Sequence, residues 1–192
     1  MSNIPNGRAE MIRVYGNPTK NGKLDPVWRE QNIVMMDLPY SMRLAWDKDT
    51  IVRRIAVHRL VVDDLTAILT DIWNHCRKRA KANAENKKAA AKIVDAGALT
   101  AFWDKLTMQW VQHFGLDLYG GAFNYRLIRG GKSLSTHSWG IAIDLDPERN
   151  GMGDSTFSMP DFAVEAFERR GWVWGGRWKG RGVDAMHFQR AG

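Results

Sequence analysis

Apolar and polar positions divide this chain into two textures. Up to about residue 48 no sustained period appears, and Pro5, Gly7, Gly16, Asn17, Pro18, Asn21, Gly22 and Pro26 punctuate the stretch, which predicts loops. Ile51, Ile55, Val57, Val61, Leu65, Ile68, Leu69 and Ile72 then recur at helical spacing behind Asp49 and Thr50, either of which can cap. The spacing predicts a helix from there to about Trp73. His58 falls inside that helix and His75 just past it. Neither has a partner at ligand spacing, so both read as surface or boundary histidines. A second stripe of Leu99, Phe102, Trp103, Leu106, Trp110 and Phe114 predicts a helix over about residues 98–114, ended by Gly115. From Tyr119 the period shortens. Residues 122–128 and 140–145 read as strands, residues 160–170 as a short helix, and residues 172–174 and 187–189 as two more strands. The expectation is one α+β domain over residues 1–192, with helices mostly N-terminal and packed on a small antiparallel sheet.

Composition changes this picture little. Hydrophobic residues make up 44% and charged residues 26%, an ordinary mixture for a globular domain. No run of about 18 apolar residues reads as a membrane span. The first residues show no basic stretch followed by an apolar core, so no secretory signal is expected. The single cysteine, Cys76, has no partner for a disulfide or a thiolate metal site, and reads as a free, partly exposed thiol.

Charge changes it more. A net charge of +7 suggests nucleic acid, but between Cys76 and Lys92 lie seven basic residues and one acid, Glu85. Nearly all of the excess sits in that segment. It is alanine-rich and offers no aromatic ring on which a base could stack. It therefore reads as a solvated helical insertion over about residues 76–95, drawing the protein to anionic surfaces by its field and binding no specific nucleic acid.

The chemistry lies further on. His137 stands seven residues before Asp144, and Asp144 sits between Ile143 and Leu145 in an apolar strand. A carboxylate among such neighbours is costly unless something positive compensates it, and a metal ion does so. His187 follows, with Asp184 three positions before it. Two imidazoles and one carboxylate form the three-ligand set of catalytic zinc, which keeps its fourth position for water. Attack on an amide also needs a base, and the leaving nitrogen an acid; Asp184 is the candidate for both. Arg126 is the candidate for polarising the carbonyl oxygen.

These pieces resemble a known family. Phe123-Asn124-Tyr125-Arg126, Arg129-Gly130-Gly131, Ser135-Thr136-His137, the run from Trp139 to Asp144, and Asp184-Ala185-Met186-His187-Phe188 are similar to the D-alanyl-D-alanine carboxypeptidase family of zinc peptidases. The likeness is greatest to the branch of phage endolysins that cut the L-alanyl-D-glutamate bond of peptidoglycan stems. It spans about residues 119–190. It implies that His137, Asp144 and His187 bind one zinc ion, that Asp184 is the general base, that Arg126 polarises the scissile carbonyl, and that Ser135 lies near the substrate. Many relatives carry Glu where this chain has Asp184.

Residues 146–154 imitate part of a calcium loop, but position twelve is Phe157 and not a bidentate acid, so a polar turn is expected. Trp172 and Trp174 read as core. Trp139 and Trp178 read equally as core or as a groove wall touching substrate. The function expected is a monomeric peptidoglycan endopeptidase of the lysin type, made in the host cytoplasm and acting on the wall after release. The alternatives are a D-alanyl-D-alanine carboxypeptidase and, from another class, a non-enzymatic zinc-stabilised or basic nucleic-acid-binding module.

Overall fold

The computed structural model describes residues 4–192. The N-terminal stretch predicted as loops holds two short helices, α1 (Gly7–Tyr15) and α2 (Pro26–Asn32), around a small hairpin of β1 (Thr19–Lys20) and β2 (Lys23–Leu24). Proline at the first position of α2 costs no hydrogen bond, and the Asp25 carboxylate accepts from the Val27 N–H to close that end.

The larger difference follows. Residues 33–58 form a long antiparallel hairpin, β3 (Ile33–Leu44) with β4 (Asp47–His58), where the sequence predicted a helix from residue 50. Ile51 and Ile55 satisfy helical spacing, but Ile55 and Val57 also alternate, and β-branched residues suit a pleated surface. Pairing with β3 decides between the two periods. Pro39 is tolerated within β3 because the ladder breaks between Asp37 and Met42, and β5 (Leu118–Gly121) pairs only with Arg43 and Leu44.

Helix α3 (Val62–Ala82) begins only after a short 3-10 turn. Its buried face is Leu65, Ile68, Leu69, Ile72, Cys76 and Ala80. The apolar stripe thus continues into the basic segment, which supplies the last turns of a core helix and then α4 (Ala84–Ala90). Cys76 lies on that stripe and is fully buried, not partly exposed; burial pushes its thiol up to about 12. His58 closes β4, also fully buried, with Nε2 against the Tyr15 carbonyl at 3.1 Å. Burial lowers its pKa to about 4, so it is a neutral core histidine. His75 falls within α3.

Helix α5 (Ala96–His113) appears as predicted and packs on α3. Residues 122–128 are not a strand; they run as an extended loop with a lone bridge between Leu127 and Leu134. β6 (Ala142–Leu145), α6 (Asp161–Glu168), β7 (Val173–Trp174) and β8 (His187–Gln189) complete the chain. The main sheet has the order β4-β3-β5-β6-β8-β7 and is mixed, since β3 and β5 are parallel. The architecture is α+β, with the N-terminal hairpin built into the sheet that carries the site. One buried apolar cluster runs from Met11 to Ala191. Among the described residues no helix is long and apolar enough to cross a membrane.

Candidate active site

Three buried side chains meet where β6 and β8 pair. Asp144 and His187 are opposite each other in the antiparallel register, so their side chains share a face. His137 arrives from a 3-10 turn over Thr136–Trp139, whose N-terminus Ser135 closes by accepting from the His137 N–H. Gly140 then ends the turn with φ 68°, and a Cβ there would meet the His58 nitrogen at 2.8 Å. Only glycine fits both demands. This turn and the start of β6 fill the seven-residue interval from His137 to Asp144.

The contacts among the three are short. His187 Nδ1 lies 2.8 Å from Asp144 Oδ1, His137 Nε2 lies 3.2 Å from Asp144 Oδ2, and the two imidazole nitrogens are 3.2 Å apart. Burial alone would raise the Asp144 pKa; protons on the facing nitrogens of His137 and His187 would outweigh it and hold the carboxyl well below the usual range. Burial works against protonation of His187, yet Asp144, Gln189 and Asp184 together raise its pKa.

The remaining ring nitrogens set where each neutral imidazole carries its proton. His137 Nδ1 lies 2.6 Å from the Ala122 carbonyl, which can only accept, so that nitrogen carries the proton and Nε2 offers a lone pair. His187 Nε2 lies 3.0 Å from Gln189 Oε1. The Gln189 amide is oriented in turn, with Nε2 donating to the Ala191 carbonyl and Oε1 accepting from Thr136 Oγ1. His187 Nδ1 is therefore also left with its lone pair. Two lone pairs facing each other across 3.2 Å beside a carboxylate repel unless a cation stands among them, and such outer partners are what fixes the tautomers of metal-binding histidines. The donor set of His137, Asp144 and His187 fits a divalent metal, and imidazole with carboxylate suits zinc.

Thr136 and Gln189 were not found in the sequence. Their role depends on which way β8 and the turn present their side chains, and no spacing rule carries that. Gln189→Ala should keep the fold but weaken zinc affinity by about 10–100-fold, the usual effect of removing an outer partner. Competition with a chromophoric chelator would measure it.

Asp184 stands outside the ligand cluster. Its backbone N–H donates to the Gly175 carbonyl and its own carbonyl accepts from the His187 N–H, which fixes the turn into β8. A Cβ on Gly175 would come within 2.3 Å of the Asp184 oxygen, so glycine is needed for this approach. Asp184 Oδ1 is buried with no hydrogen-bond partner, and burial raises the carboxyl to about 6 although His187 opposes the shift. An unsatisfied carboxylate oxygen beside a metal-ligand set is poised to take a proton.

A cleft of about 380 Å³ opens over these groups. It is lined by Ser135, His137, His187, Asp184, Arg126 and Trp178, among others. Arg126 comes from the extended loop and not from a strand. Its backbone is pinned to Ser138 Oγ at 2.9 and 2.8 Å, and its exposed guanidinium reaches the cleft. Arg129 and, from α1, Arg8 also line it; Arg8 was not anticipated, because α1 itself was not. Trp178 is 36% exposed, with its ring 5.6 Å from that of His187, and forms a wall of the cleft. Trp139 is fully buried with Nε1 donating to the Gly16 carbonyl, so it backs the cleft as core and has no face to offer a polymer. Trp172 and Trp174 are core.

Asp146 and Glu148 are engaged elsewhere. Asp146 is buried in a turn where Arg149 Nε and Asn150 Nδ2 donate to it, and Glu148 pairs with Lys48. Residues 146–150 thus form a polar turn.

Residues 129–190 match the family model of D-alanyl-D-alanine carboxypeptidases. The matched stretch is about a third of the chain and holds most of the site, so the site-bearing segment is similar to this peptidase family. The match covers both histidines, Asp144 and Asp184, while Arg126 and Arg8 lie ahead of it. No curated protein and no solved structure matches the chain. The resemblance read from the sequence to this carboxypeptidase family therefore has an independent counterpart over the residues that build the site.

Proposed function

We propose that the chain is a zinc-dependent peptidoglycan peptidase of the lysin type, cutting the L-alanyl-D-glutamate bond of the stem peptide. The observation that carries this reading is the convergence of two imidazole lone pairs and a carboxylate beside an unsatisfied acid, in a cleft lined mostly by the matched segment. His137, Asp144 and His187 would hold the zinc ion, which would supply Lewis acidity for attack by water. Asp184 accepts the proton of the attacking water and returns it to the leaving nitrogen, for which a pKa near neutrality is suited. Arg126 donates to the carbonyl oxygen as charge develops there. Ser135 and Trp178 are the residues of the lining that would contact the peptide and its sugar. Synthesis in a host cytoplasm and action on the wall after release is the setting this reading entails.

A second reading, removal of a terminal D-alanine, has the family description on its side. Arg8, Arg126 and Arg129 around the cleft are cations that a terminal carboxylate could meet. Digestion of purified peptidoglycan followed by mass spectrometry separates the two. Endopeptidase action exposes new D-glutamyl amino termini and frees stem peptides. Carboxypeptidase action releases only free alanine. If neither product forms, both readings fail.

Arg126→Ala should keep zinc and fold while turnover falls by about 10²–10³, the usual cost of one oxyanion donor. Steady-state kinetics beside elemental analysis checks this; wild-type turnover would pass the role to Arg129.

A further inference from the structure

A larger cavity, of about 540 Å³, lies between α3 and α6 and shares no lining residue with the cleft. Asp71, Asn74, His75, Lys78 and Lys81 line it from α3, at spacings that put them on one face of the helix. From α6 and its C-terminal edge come Phe162, Glu165 and Arg169. The His75 ring stacks on Phe162 at 3.9 Å and 2°, making one firm wall.

The charges here are unequally matched. Asp71 accepts from Arg170 at 2.7 Å, and Glu165 faces Arg169 at 3.6 Å, so each acid of the lining already has an arginine beside it. Arg77 pairs with Asp104. Lys78 and Lys81 have no carboxylate partner among the described residues; Lys81 Nζ lies 5.7 Å over the Trp103 ring. Burial, then Arg79 and Lys78, lowers the His75 pKa against the opposing pull of Glu165, so the ring registers a positive field. Arg79 Nε donates to His75 Nε2 at 3.2 Å, which leaves Nδ1 as the protonated nitrogen.

We propose that this cavity is a second, non-catalytic site that takes a phosphate group. Two ammonium groups one turn apart, an amide from Asn74 and an imidazole N–H are donors suited to a compact anion with several oxygens. Lysine serves such groups as a point charge. A carboxylate offers fewer oxygens to so many donors. The basic segment, which the peptidase cleft does not use, thereby gains a defined contact on its α3 portion. The site stands independently of the peptidase reading.

The test is a titration of the zinc-loaded full chain with pyrophosphate at constant ionic strength, following the histidine ring nitrogens by NMR. Expected is a saturable shift of the His75 signals with a raised pKa. K78Q/K81Q should weaken that binding at least tenfold, with an unchanged melting temperature. A non-saturating shift that chloride reproduces at equal ionic strength would overturn the site, as would unaltered affinity in the double variant. Poly(glycerol phosphate) compared with inorganic phosphate at equal phosphorus identifies the source. Tighter binding of the polymer assigns an envelope polymer, and equal binding assigns free phosphate.

Discussion

His137→Ala, Asp144→Ala and His187→Ala are each expected to lose zinc and with it all measurable peptidase activity. Three protein ligands leave none to spare, and each removal also exposes a partner. Without Asp144, the two imidazole lone pairs 3.2 Å apart lose the carboxylate beside them. Without His187, Gln189 and Thr136 orient nothing. Elemental analysis of the purified variants should find well under one equivalent of zinc, with far-ultraviolet circular dichroism unchanged. A full equivalent in any one of them would remove that residue from the site. The remaining buried groups would then have to account for the ion, and the tautomer argument would fail with them.

Asp184→Ala is expected to retain zinc and to lose about 10²–10⁴ in turnover, the usual worth of general acid-base catalysis. Asp184→Asn should be nearly as poor, because the amide keeps the shape but takes no proton. Asp184→Glu should be partly active, since it keeps the chemistry and moves the oxygen by about one bond. The pH profile gives a second reading of the same group. A base must be ionised to act, so activity falls as pH drops through the pKa of Asp184. Burial raises that pKa to about 6. A cation in the adjacent site favours the carboxylate, so the acid limb of the zinc enzyme should lie at or below about 6 and disappear in Asp184→Asn. Loss of zinc from Asp184→Ala would make the carboxylate a ligand. Full activity with zinc retained would remove it from the mechanism.

That His137, Asp144 and His187 come together was legible in the sequence because two of the three carry an anomaly of their own. Asp144 is a carboxylate between isoleucine and leucine, and His187 follows an acid at a fixed interval just before an apolar strand. What was not legible was decided by partners distant in the chain. Ile51, Ile55 and Val57 fit two periods at once, and the choice falls to β3, whose pairing no local window contains. The same hairpin buries His58, and the continuing stripe of α3 buries Cys76, so both were read as more exposed than they are. Trp139 reads alike as groove or core until the Gly16 carbonyl accepts from its indole. Gln189 has no chemistry of its own, and its importance comes from the rotation of β8 toward His187. Arg8 reaches the cleft only because α1 forms where the glycine and proline pattern predicted loops.

If zinc at this site drives cleavage of peptide bonds in peptidoglycan, cleavage must follow the ion. The most direct test counts new amino termini released from purified peptidoglycan by chelator-stripped protein, before and after addition of one equivalent of zinc. Essentially no release is expected from the stripped protein and full recovery as the first equivalent binds, with no recovery in His187→Ala. Undiminished release by stripped protein, or none at any zinc concentration from a folded chain, would contradict it.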